Sequence, residues 1–155
     1  TACFLSFFAG KSGNNKSYIY LGEFNEGFAR AKNGEGWFHV NQEYKPIYSK
    51  IFSDVGNYSE GVAPALEDNV WFHINTKGKA VYEKRYYWVD IFSENLAVAV
   101  EKDENGVEYY FHIDHNGEPA YSERFDEASS FKNHRAKVSK NNETFFISSS
   151  GQRIK

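Results

Sequence analysis

Residues 61–82, "GVAPALEDNVWFHINTKGKAVY", decide the fold. Their central word, Trp71-Phe72-His73-Ile74, returns as Trp37-Phe38-His39-Val40 and as Tyr110-Phe111-His112-Ile113. It returns once more, eroded, as Thr144-Phe145-Phe146-Ile147. A histidine between apolar neighbours, three times over, reads either as a metal or catalytic site or as the stitch of a repeat. Register decides between them. Tyr58-Ser59-Glu60-Gly61-Val62-Ala63 has counterparts beginning at Phe24, Phe92 and Phe131, at steps of 34, 34 and 39 residues. The tryptophan word steps by 34 and 39. A third word closes each unit, beginning at Tyr48, Tyr82 and Tyr121.

The longer step comes from extra residues around "KDENG", 102–106, which leave both flanks in register and so mark a surface loop. Shifted back by one period, Cys3 falls under Trp37. The chain therefore holds about four and a half units: a partial one at 1–20, full ones at 21–54, 55–88 and 89–127, and a partial, capping-like one at 128–155. All form a single repeat domain.

A 34-residue period also belongs to helical repeats, but no stretch repeats apolar residues at i, i+3, i+4 and i+7 over a helix length. Each unit instead predicts strand a at 62–66, strand b at 70–75, strand c at 79–82 and a fourth extended piece at 86–92. The a–b turns (Asn33-Gly34, Asp68-Asn69, Asn141-Asn142) use residues that tolerate positive φ. The b–c turns open on Asn, Asp or Ser and place Gly78, Gly117 and Gly151 at the left-handed position, with Tyr44 as the exception. On strand b, alternation puts Phe72 and Ile74 on one face, Trp71 and His73 on the other. Strand a carries small residues in register (Ala29/Ala31, Ala63/Ala65, Ala97/Ala99), so something packs close there. A lone hairpin cannot bury two faces, whereas neighbouring units can. The expected fold is all-β: tandem antiparallel hairpins or small sheets stacked in a propeller-like or solenoid array. Completion of the first partial unit by the last would close a ring of about five.

Composition narrows function by exclusion. Lys and Arg number 18 against 21 Asp and Glu, with no basic patch, so nucleic-acid binding has no electrostatic support. No apolar run is long enough for a membrane span. One cysteine permits no internal disulfide and leaves cell surface, periplasm and cytoplasm all open. Thr1-Ala2-Cys3 matches the tail of a lipoprotein cleavage site with Cys3 as lipid carrier; the favoured reading is a piece trimmed from something longer.

Candidate chemistry is weighed in the same register. His39, His73 and His112 would suit a metal, but the fourth equivalent is Phe146, and in-register residues do not converge on one point as zinc requires. Packing with hydrogen-bonded ring nitrogens is expected. Glu26, Glu60 and Glu94 recur in similar environments, unlike a catalytic carboxylate pair, and are read as turn or backbone ligands. Arg85 and Arg124 are read as stacked on aromatics or ion-paired. No phosphate-binding glycine loop or serine-nucleophile motif occurs, and no cofactor, metal or catalytic residue is expected. Specific function then belongs where units differ. Trp88, whose equivalents are Tyr20, Asp54 and Glu127, stands out as an exposed candidate contact with Tyr86 and Tyr87.

With Tyr58, Glu60, Gly61, Ala63, Trp71, Ile74, Asn75 and Gly78 in place, the chain resembles the tandem WG, or KWG, repeats of bacterial proteins over nearly its whole length. The glycine that follows tryptophan in that family is Phe38, Phe72 or Phe111 here. The resemblance implies an all-β interaction or scaffold region with no shared catalytic residue. The leading expectation is a non-enzymatic module that binds a protein partner or displays a fused domain. The alternative is a carbohydrate or cell-wall binder using exposed aromatics, with a glycan-processing enzyme a distant third.

Overall fold

The computed structural model describes residues 18–155. Cys3, all but the last three residues of the first partial unit and the ring closure expected from it lie outside the described residues. The remainder forms four small antiparallel sheets in chain order. Sheet 1 holds β1 (Tyr20–Asn25), β2 (Phe28–Lys32) and β3 (Trp37–Val40). Sheet 2 holds β4 (Asp54–Val55), β5 (Ala63–Glu67) and β6 (Val70–Ile74). Sheet 3 holds β7 (Trp88–Val89), β8 (Ala97–Lys102) and β9 (Glu108–Ile113). Sheet 4 holds β10 (Glu127–Ala128), β11 (Ala136–Lys140), β12 (Glu143–Ile147) and β13 (Arg153–Ile154). Strands a and b are thus the central hairpin of every sheet, in one register: Ala63 faces Ile74 and Ala65 faces Phe72.

Two expectations are corrected. Strand c does not form in the full units; it shrinks to single bridges, Val40 to Pro46, Ile74 to Ala80 and Ile113 to Pro119. At Pro46 and Pro119 the missing N–H leaves the ladder nothing to extend with; Ala80 makes the same single bridge without that constraint. The chain then bends so that the tyrosine two residues on turns inward. Only sheet 4 keeps this strand, as β13. The fourth extended piece is not the last strand of its own unit either. Tyr86 exchanges both backbone hydrogen bonds with Trp71 of sheet 2, while Trp88–Val89 pairs with β8 of sheet 3. Phe52 and Phe125 bridge to Trp37 and Tyr110 in the same way. Each crossover is therefore shared between two sheets, because both supply it with backbone partners that would otherwise be unpaired edges.

Positive φ appears at Asp68-Asn69 and Asn141-Asn142, as the turn residues required. Asn33-Gly34 differs: the Asn33 side chain accepts the Glu35 and Gly36 amides, and it is Gly36 that leaves the ordinary φ range. At the b–c turns Gly117 combines φ +75 with a second constraint, since a Cβ there would lie 2.5 Å from the Tyr82 ring of the preceding unit. Gly78 and Gly151 meet Tyr48 and Tyr121 in the same way. Glycine at these positions is where one unit's tyrosine seats on the next unit's turn. The alanines of strand a and Phe38, Phe72 and Phe111 of strand b are buried, Phe145 is half-buried, and one continuous core runs through sheets 2 to 4. Ala29, Ala31, Phe38 and Val40 form a smaller core in sheet 1.

Candidate functional site

The three in-register histidines are fully buried and fully engaged. His73 Nδ1 lies 2.6 Å from the Tyr82 hydroxyl and Nε2 lies 2.8 Å from the Asp90 carbonyl. His39 meets Tyr48 and the Gly56 carbonyl, and His112 meets Tyr121 and the Ser129 carbonyl, at the same sequence offsets of 9 and 17. A carbonyl only accepts, so each Nε2 carries the proton. Burial holds each imidazole down to about 4, hence neutral, and each Nδ1 accepts the tyrosine O–H. Burial in turn pushes Tyr48, Tyr82 and Tyr121 far up. The ring of Tyr58, Phe92 or Phe131, which opens the following unit, packs against the preceding histidine at 4.5–4.6 Å. These side chains fasten consecutive units together and present no free ring nitrogen.

The glutamates form a second stitch. Glu26, Glu60 and Glu94 take φ of 53–54°, each opening a tight turn. The Glu26 carboxylate accepts the amides of Glu60 and Gly61, Glu60 accepts that of Asn95, and Glu94 accepts that of His134. Every carboxylate thus neutralises the donors of the next unit's turn. Arg85 and Arg124 lie over Phe72 and Phe111 at 4.0 and 3.9 Å and donate to backbone carbonyls of their own bend.

An open cleft lies between sheets 2 and 3. Leu66, Asn69 and Trp71 face Tyr87, Trp88, Val100, Glu108 and Tyr110 across a cleft of about 410 Å³. Trp88 is 36% exposed and Tyr87 46% exposed. Tyr86 corrects the expectation: it is 4% exposed, because its main chain bridges Trp71 while its hydroxyl donates to the Gly117 carbonyl inside the core. Burial pushes its phenol up to about 12. Leu66, Asn69, Trp71, Val100, Glu108 and Tyr110 are the cleft residues that sequence reasoning missed. One signal for Trp71 was present: it stands 17 residues before Trp88, the same offset that joins each histidine to the next sheet. The Tyr110 phenol is pushed up by burial first and then by the carboxylates of Glu108 and Glu127.

Tandem small antiparallel sheets tied by shared crossovers define this as a β-repeat protein. The family model described as "WG containing repeat" matches residues 40–71, 74–105 and 112–143, more than half of the chain, which therefore belongs to the WG-repeat family. Each matched segment includes one crossover between sheets. No curated protein matches the chain. Among solved structures it is similar to "KlHsv2 with loop 6CD replaced by a Gly-Ser linker", with TM-score 0.51 and 10% identity over 93% of this chain. The chain spans 57% of that structure's length, and the likeness is one of fold alone. Among the described residues no helix is long and apolar enough to cross a membrane.

Proposed function

We propose that this chain is a non-enzymatic interaction module whose protein partner docks on the cleft between sheets 2 and 3. The observation that carries the reading is that cleft itself. Elsewhere the recurring aromatic, histidine and glutamate side chains are spent on joining units and the recurring arginines on bracing their own bends, whereas Trp71, Trp88 and Tyr110 share an open depression. Exposed tryptophan and tyrosine beside a polar rim are the composition of interface anchors. Two tryptophans in one cleft also favour a second reading, a stacking platform for sugar rings.

A photo-crosslinking amino acid at position 88, in the full-length protein in its native cell, separates the two. The expected result is one discrete protein adduct that disappears with Trp71→Ala and is absent when the probe sits at exposed Lys137. A glycan adduct, or an equal spread of adducts from both positions, overturns the reading.

A further inference from the structure

The repeat provides an internal comparison for the cleft. In sheet 1 the indole of Trp37 is covered by cations of its own sheet, with Arg30 Cζ at 4.6 Å and Lys32 Nζ at 5.6 Å from the ring centroid. Arg30 continues across to the next sheet, donating to the Val55 carbonyl at 2.7 Å and lying 3.4 Å from the Asp54 carboxylate. The arrangement is a cation between an aromatic face and a carboxylate. Arg153 repeats it in sheet 4, 4.6 Å from the Phe145 ring and 2.6 Å from Glu143.

One period on, Pro64 stands at the position of Arg30 and Leu66 at that of Lys32. The register is unchanged: Leu66 faces Trp71 as Lys32 faces Trp37. Among the described residues no lysine or arginine lies over Trp71, Trp88 or Tyr110; of the two cations beside the cleft, Lys102 lies 4.6 Å over Tyr87 and Arg85 lies 4.0 Å over Phe72. Glu108 is the single charged residue lining the cleft. The aromatic face is kept while the cations of the same strand are replaced by apolar side chains; Trp88 takes the position of Asp54, and the carboxylate of the cleft is Glu108 at the start of β9.

Resting on the docking reading above, we infer that the cleft takes a lysine or arginine side chain of a partner protein, held between the aromatic rings and Glu108. An ammonium or guanidinium over tryptophan is attracted by the ring quadrupole, more strongly where water is partly excluded. A carboxylate at the rim selects cation over anion.

The test uses the ¹⁵N-labelled chain, whose three tryptophans give three indole N–H signals. Blocked tripeptides Gly-Arg-Gly and Gly-Lys-Gly are titrated beside their acetyl-lysine and leucine counterparts and a chitooligosaccharide. The two charged tripeptides are expected to shift the Trp71 and Trp88 signals and leave Trp37 in place, with Kd of roughly 1–10 mM. Glu108→Gln weakens them roughly tenfold, and so does raising salt to about 0.5 M. Leu66→Lys, which restores the arrangement of sheet 1, abolishes the shifts in a folded protein. Equal binding of the leucine or acetyl-lysine tripeptide overturns the cation inference but leaves protein docking standing. Shifts from the oligosaccharide alone overturn both. The absence of any shift overturns this inference, while docking is then decided by the crosslinks from position 88.

Discussion

At the residue scale, the buried imidazoles explain why a histidine sits between apolar neighbours in three units. Each joins three chain segments at once: its own strand, the tyrosine nine residues on and a carbonyl seventeen residues on. Tyr82→Phe leaves His73 Nδ1 as a buried acceptor with no donor and is expected to cost about 1–3 kcal/mol in chemical denaturation. His73→Phe copies the residue that unit 4 carries at Phe146, and a double-mutant cycle with Tyr82→Phe should show coupling of about 0.5–3 kcal/mol. Strictly additive losses would show that the pair does not act as one link. Glycines offer a parallel contrast. Gly27 and Gly117 both take positive φ, but a Cβ at Gly27 meets nothing within 4 Å whereas one at Gly117 strikes the Tyr82 ring. Gly27→Ala should cost about 1 kcal/mol from backbone strain alone, and Gly117→Ala about 2–5 kcal/mol, read as separated thermal midpoints.

At the element scale, the unit of construction is the hairpin plus the crossover that follows it. Hairpins were legible because alternation, turn residues and a fixed period all point the same way. The crossover was not, because Tyr86 and Trp88 are two residues apart and pair with different sheets, a choice set by backbone partners rather than side-chain pattern. The glutamate ladder lies at this scale as well. A left-handed glutamate costs about 1–2 kcal/mol, offset by carboxylate hydrogen bonds to the amides of the next turn. Glu60→Gln is therefore expected to lower stability by about 1 kcal/mol and to speed hydrogen exchange at the Asn95 amide, with the Gly27 amide unchanged. Unaltered exchange at Asn95 would remove the ladder from the account of how units join.

At the scale of the whole molecule, three buried neutral histidines make stability depend on pH. Their folded-state values, about 4, lie below the unfolded value near 6.5, so the unfolded chain binds more protons between those limits. The stabilisation is fully present above about pH 6.5 and is lost as pH falls towards 4. Each histidine contributes about 1.4 kcal/mol per pH unit in that window, and three together about 4. Because domains are stable by only about 5–15 kcal/mol, the protein should unfold near pH 5. Circular dichroism in denaturant across pH 4–7.5 checks this. His112→Phe should reduce the slope by about a third, and an unchanged slope would show that other groups dominate.

The sequence by itself determined the all-β class, the period, the faces of both central strands, the turn chemistry apart from Asn33-Gly34 and the structural part played by the histidines and glutamates. Those properties are local or repeat at a fixed offset, so one chain shows them several times over. Only the tertiary structure decided that strand c dissolves into a bend, that Tyr86 is inside while Tyr87 and Trp88 are outside, and that Trp71, Tyr110 and Glu108 share a cleft with Trp88. Those outcomes depend on which sheet claims each crossover residue and on what the neighbouring unit places opposite it. The packing between units, not the pattern within one, settles both.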